Sequence, residues 1–272
     1  MSDDFSQVIH SHIWKEEPET DNPFAASKCL CHGYDVYGDV MGKASYVQYL
    51  YLLFKGDRPS KEAAAALEMI AIALANPGPR DPSVHAAMAA GVGGSPAATA
   101  LMSALAASAG SHGGAREVLL AMDLWRECGM NLVAWKERLA LPEPPSRPLF
   151  WPQIDHAPGF DPHGASCATP VRQTLSALAG VLGDGRVMWL EKSRTELEAS
   201  AGHPLAMAGV VAAAFADLGF SPQEAEMLTL LMRLPGAAAH ALEQWQRGFR
   251  QFPFFSLELE NDPGPVAQKE QA

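Results

Sequence analysis

The sequence predicts a mostly α-helical protein. Apolar residues recur at helical spacing from about residue 45 to about 250, strand-like alternation is scarce, and Pro or Gly stands at the ends of the periodic stretches. At 272 residues the chain can bury a substantial core, as one large domain or as a large and a small one.

The elements follow in order. Ser45 caps a first helix to Phe54, whose Tyr46, Tyr49, Leu50 and Leu53 share a face and which Gly56-Asp57-Arg58-Pro59 ends. Ser60 then caps Lys61 to Ala75, which stops before Asn76-Pro77-Gly78-Pro79. From Ser83 to Gly110 small residues dominate, so backbones can approach closely, at the centre of a domain or against a partner subunit. Gly91-Val92-Gly93-Gly94 interrupts that stretch before Ser95-Pro96, read as a cap with Pro at the first helical position. The glycine run is no phosphate loop, because no strand precedes it and no Gly-Lys-Ser/Thr follows.

Ala115 to Cys128 reads as a helix stopped by Gly129, and Trp135 to Leu139 as a second. Five prolines between Pro142 and Pro152 make 141–165 a loop, and its Phe150, Trp151 and Phe160 are apolar enough to pack over something. Helices are expected at about Pro170 to Leu182, Arg194 to Ala199 and Pro204 to Leu218. Ser221-Pro222-Gln223-Glu224 opens a last long helix that reaches Leu234 and bends at Pro235, and the polar tail from Asp262 is expected to be disordered.

Composition excludes several functions. A formal charge of −11 and a pI near 5.2 argue against general attraction to nucleic acid or to an anionic membrane. No apolar run reaches the ~18 residues needed to span a bilayer, and residues 1 to 20 lack the basic and then apolar regions of a signal peptide, so a soluble cytoplasmic protein is expected. Cys29, Cys31, Cys128 and Cys167 are too few and too scattered for a disulfide framework. Cys29-Leu30-Cys31-His32 has thiols and an imidazole for zinc, but no second Cys/His pair has structural spacing, and ordinary thiols in a turn are the expectation.

Three segments carry the most chemistry. The first is Gly33-Tyr34-Asp35 followed by Gly42-Lys43-Ala44-Ser45-Tyr46 and Tyr49 through Pro59; the second is Gly110-Ser111-His112-Gly113-Gly114-Ala115. The third is Leu218-Gly219-Phe220 followed by Arg233-Leu234-Pro235-Gly236 and Ala237 through Gln244. Taken together and in this order, they resemble the citrate synthase family, including its short citryl-CoA lyase-like members.

The resemblance implies an all-α dimer whose large domain carries a smaller inserted helical domain that closes over a CoA thioester. By it, residues 1–112 and 209–272 form the large domain, 113–208 the small one, and the Ala-rich helices before His112 the homodimer interface. It implies no tightly bound cofactor, with a CoA thioester and a keto-acid as the small-molecule partners.

Such enzymes enolise acetyl-CoA and add the enol to a ketone, or run the reverse cleavage. Removing a proton from a weak carbon acid needs a base on one side and a hydrogen-bond donor to the enol oxygen on the other. By motif, His112 is that donor, and a helix N-terminus keeps such an imidazole neutral. The family's Asp base stands eleven residues before the glycine of the Leu-Gly pair, which here is Ala208, a residue unable to take a proton. The family's His-Gly for the keto-acid aligns with Pro77-Gly78. The His that polarises the acceptor carbonyl aligns with Asp161 in Pro158-Gly159-Phe160-Asp161-Pro162-His163, and His163 substitutes for it if the loop shifts. Arg233 keeps the position of a substrate-carboxylate arginine, where a helix-end ion pair is the other reading.

Among the remaining ionisable residues, Asp155 and His156 stand available as a replacement base and acid but read as solvated loop residues. His203-Pro204 reads as a coincidental echo of the motif, and His85 and His240 as packed histidines. Arg147, Arg172, Arg186, Lys192 and Arg194 fit no tight motif for the CoA phosphates. Three functions follow: a CoA-thioester carbon–carbon lyase or synthase with an altered acceptor site, a degenerate relative that binds a CoA ester or a partner subunit without turnover, or an interaction protein that uses only its helical dimer surface.

Overall fold

The computed structural model describes residues 9–140, 156–253 and 257. The described chain opens with a three-stranded antiparallel sheet, β1 (Trp14–Pro18), β2 (Ala26–Cys31) and β3 (Tyr34–Asp35), in the order β1-β2-β3. The sequence reading did not anticipate it. Its strands are mostly exposed, so no buried face imposes the apolar alternation that reveals a strand.

Helices account for the rest of the regular structure. In α1 (Tyr46–Lys55) the Ser45 hydroxyl accepts from the Gln48 N–H while the Gln48 side chain accepts from the Ser45 N–H, and Gly56 ends the helix at φ 78°. α2 (Lys61–Ala75) is capped by Ser60 as expected, and α3 (Pro82–Val92) by Asp81. α4 (Ala97–Ser108) differs from expectation: Pro96 takes the cap position itself, and no side chain bonds the first N–H groups. α5 (Ala115–Cys128) and α6 (Leu132–Ala140) flank Gly129.

The later helices are α7 (Thr169–Leu182), α8 (Arg186–Ala201), α9 (Met207–Asp217) and α10 (Pro222–Arg247). α8 starts well before the expected Arg194, because its N-terminus is capped from outside. The Asp217 carboxylate, at the end of α9, accepts the Arg186 and Val187 N–H groups at 2.8 and 2.9 Å. α10 runs on through Pro235, where a bend is expected, for twelve more residues to Arg247. Proline removes one hydrogen bond of the helix ladder, but tertiary packing holds the next turn. A Cβ on Gly236 would sit 2.4 Å from the Ala75 carbonyl oxygen, so the end of α2 lies directly on α10 there.

One apolar core runs through α1, α2 and α5 to α10, with Leu67, Ile70, Leu175, Leu178, Leu197 and Leu228 among its buried side chains. α9 is its axis: Val210 through Phe215 are all fully buried, which fits a helix apolar on every face. Trp125, Trp135 and Trp189 pack edge-on or tilted at 4.9 to 6.3 Å between ring centres. A second, small cluster consists of alanine alone, with Ala87 of α3, Ala100 and Ala104 of α4 and Ala237 and Ala241 of α10. The small-residue helices thus pack against α10. No helix among the described residues is long and apolar enough to cross a membrane.

Of the expected loop, Phe160 is buried, while Phe150, Trp151 and Asp155 lie outside the described residues, as does the tail from Asp262.

Candidate active site

The site starts at the first turn of α5. Gly114 occupies the cap position, and only glycine fits, since a Cβ would lie 2.2 Å from the Gly110 carbonyl oxygen. Gly113 before it turns the chain at φ 68°, which leaves His112 exposed at the helix entrance. The third helical residue, Glu117, is 2% exposed. Its Oε2 accepts the Gly113 N–H at 2.5 Å and its Oε1 accepts the Gly159 N–H at 2.9 Å.

That second bond brings in the loop that follows the undescribed segment. His156 is 5% exposed, and its Nε2 lies 3.6 Å from the Glu117 Oε1. The loop then pairs with the lead-in to α9. The Asp161 N–H donates to the Pro204 carbonyl at 2.8 Å, the Ala206 N–H donates to the Gly159 carbonyl at 2.9 Å, and Phe160 bridges Leu205. Three histidines converge as a result, with ring centres 5.7 Å apart for His112 and His156 and 6.5 Å for His156 and His203.

The positions singled out from sequence divide accordingly. His112 belongs to the histidine cluster. His156 is not the solvated loop residue expected, and His203 lies near it, with ring centres 6.5 Å apart. Ala208 lies half-buried on the first turn of α9, beside Gly209, whose backbone touches that of Gly159. Asp161 is half-buried and accepts the His163 N–H at 2.9 Å, which fixes a turn, whereas His163 itself is exposed.

Arg233 is placed elsewhere, on α10 against the start of α3. Its guanidinium lies 3.8 Å from Asp81, which also caps α3, and its buried Nε has no hydrogen-bond partner. His240 is half-buried and hydrogen-bonded rather than simply packed: its Nε2 is 3.2 Å from Asn76 Oδ1 and its Nδ1 is 3.4 Å from Glu243. His85 is tilted against Phe252. Glu117 was missed altogether. An acidic residue in a first helical turn is ordinary in sequence, and only the folded loop makes it a bridge.

Cys29, Cys31 and His32 sit at the end of β2 and the turn after it. Burial pushes the Cys31 thiol up, partly offset by its hydrogen bond with Tyr49, and His32 Nε2 lies 3.4 Å from the Leu53 carbonyl. Among the described residues no group of three or more His, Cys, Asp or Glu is arranged to hold a metal ion.

No protein-family profile and no curated protein sequence matches the chain. Solved structures do. The citryl-CoA lyase of Hydrogenobacter thermophilus superposes with a TM-score of 0.73 at 19% identity, over 97% of this chain and 99% of that one. The ATP citrate lyase of Methanothrix soehngenii, in complex with citrate and coenzyme A, gives 0.68 at 17% identity, over 95% of this chain and 43% of that one. The citrate synthase of Thermoplasma acidophilum, in a ternary complex with carboxymethyl coenzyme A and oxaloacetate, gives 0.56 at 18% identity, over 82% and 60%. Mostly helical from residue 46 onward and alike over nearly its whole length to the first of these, the chain has the citrate synthase-like fold.

Proposed function

We propose that the protein acts on a CoA thioester, making or breaking a carbon–carbon bond α to the thioester carbonyl as a short citryl-CoA lyase-like member of the citrate synthase family. The observation that carries this reading is the placement of His112, exposed at the entrance of α5 and 5.7 Å from the buried His156. A donor at that point meets the developing enol oxygen, where the helix N-terminus also favours negative charge. The likeness to structures that hold coenzyme A with citrate or oxaloacetate supports the same substrate class.

In this reading His112 donates to the thioester oxygen while a water molecule takes or returns the α-carbon proton, since Ala208 carries no group that can. The Asp161–His163 turn, joined to Pro204 beside His203, forms the acceptor side. Arg233 binds a carboxylate of the keto-acid once Asp81 yields it. The chain works as a homodimer of two-domain subunits, with 113–208 closing on the remainder, and uses no tightly bound cofactor.

Acetyl-CoA incubated with the protein in deuterated water tests this. The methyl protons are expected to exchange, and His112→Ala to lower the rate by roughly 10²- to 10⁴-fold. No exchange, with or without keto-acids, overturns it. A second reading is favoured by Ala208 and Pro77, which stand where the resemblance calls for Asp and His: a non-catalytic protein that binds a CoA ester or a partner subunit. Calorimetric binding of acetyl-CoA without exchange identifies that case.

A further inference from the structure

Glu117 does more than cap a helix. Its position, third in α5, is where a glutamate commonly reaches back to a free N–H before the helix, and one carboxylate oxygen is enough for that. Here Oε2 takes the Gly113 N–H, next to His112, and Oε1 leaves the helix for the Gly159 N–H, 42 residues along the chain. Both glycines turn the backbone at positive φ, 68° and 91°, so each turn is defined by a residue with no side chain to anchor it. The anchor comes from outside, and it is the same carboxylate for both. Glu117 is 2% exposed, and the His156 Nε2 lies 3.6 Å from its Oε1.

We propose that Glu117 is a positioning residue: its two carboxylate oxygens hold the His112 turn and the Gly159 turn in one fixed relation, and so aim the His112 imidazole. This rests on the function proposed above, in which His112 touches the thioester. Only a carboxylate can do the job. Glutamine is the same size, but its amide nitrogen is a donor and cannot accept from a backbone N–H, so one of the two turns is released. Aspartate keeps both oxygens but is one methylene short of spanning them.

The test is Glu117→Gln with two independent readouts. In amide hydrogen exchange, at least one of the Gly113 and Gly159 N–H groups is expected to exchange faster by about tenfold or more. In the methyl-exchange assay, kcat is expected to fall by roughly 100-fold, as for a catalytic group displaced by about 1 Å, while KM for acetyl-CoA stays within about threefold. Glu117→Asp is expected to lose a similar factor. A folded Glu117→Gln protein with wild-type protection at both amides, or with kcat intact, overturns the proposal. If wild-type protein shows no methyl exchange, the functional reading fails while the amide readout still decides the clamp. Should the variants not fold, wild-type protein alone suffices. The exposed Gly113 amide is expected to be protected to the same degree as the Gly159 amide, and independent opening of the two overturns the shared anchor.

Discussion

Gly159 and Gly209 meet backbone to backbone. A Cβ on Gly159 would lie 2.9 Å from the Cα of Gly209, and one on Gly209 would lie 2.5 Å from the Gly159 carbonyl oxygen. The loop that carries His156 therefore rests on the first turn of α9 with no side chain between them. Gly209→Ala must push the two apart: Leu205 Cδ1, at 2.8 Å from the new Cβ, can turn away, but the Gly159 carbonyl oxygen at 2.5 Å is backbone and cannot, so a loss of roughly 1–3 kcal/mol is expected. Urea denaturation measures it, and an unchanged midpoint contradicts the close approach.

Ala208 sits beside that contact, half-buried, where a base is expected but a methyl group stands. If position 208 faces the α-carbon, Ala208→Asp supplies the missing acceptor and raises methyl exchange by about tenfold or more. A folded variant with no gain in rate shows that residue 208 does not face the substrate.

Glu224 gives a pH-dependent prediction. Burial pushes its carboxyl up, but the Ser221 N–H and hydroxyl and the Lys55 ammonium outweigh that and leave it below the ordinary 4.5. A carboxyl lowered by folding contributes stability above its unfolded-state value and loses it as pH falls through the lowered folded-state value. Glu224→Gln is thus expected to cost about 0.5–1.5 kcal/mol at pH 7. The gap should close as the solution is taken below the ordinary glutamate range. Denaturation at a series of pH values reads it, and a gap that widens in acid refutes the assignment.

The four thiols separate by burial. Cys31, Cys128 and Cys167 are buried and pushed up chiefly by that burial, while Cys29 is half-buried. An aromatic disulfide reagent on native protein near pH 8 is expected to label one thiol fast and three slowly, with Cys29→Ser removing the fast phase. Fast labelling that survives the substitution assigns it to another residue.

The sequence carries the helices where capping and periodicity agree. Lys61–Ala75 and Ala115–Cys128 stand where their Ser60 and Gly129 signals put them. It fails where a distant residue decides the outcome. α8 begins early because Asp217 caps it across space, and α10 passes Pro235 because the end of α2 packs on the next residue. The candidate site divides in the same way. His112 is recognisable from the glycines around it. The burial of His156, the approach of His203 and the bridging role of Glu117 all depend on a loop lying across α5 and α9, which no local pattern records.

The alanine cluster of α3, α4 and α10 leaves the protein little room to vary. Five methyl groups fill that layer, and a Cβ on Gly91 would already strike the Ala241 carbonyl oxygen at 2.5 Å. Each side chain there buries little apolar area, so the layer draws its attraction from backbones in near contact rather than from large side chains. Adding one methyl forces whole helices apart instead of turning a rotamer. Tolerated changes in this layer must therefore come in compensating pairs, one position growing only as its neighbour shrinks.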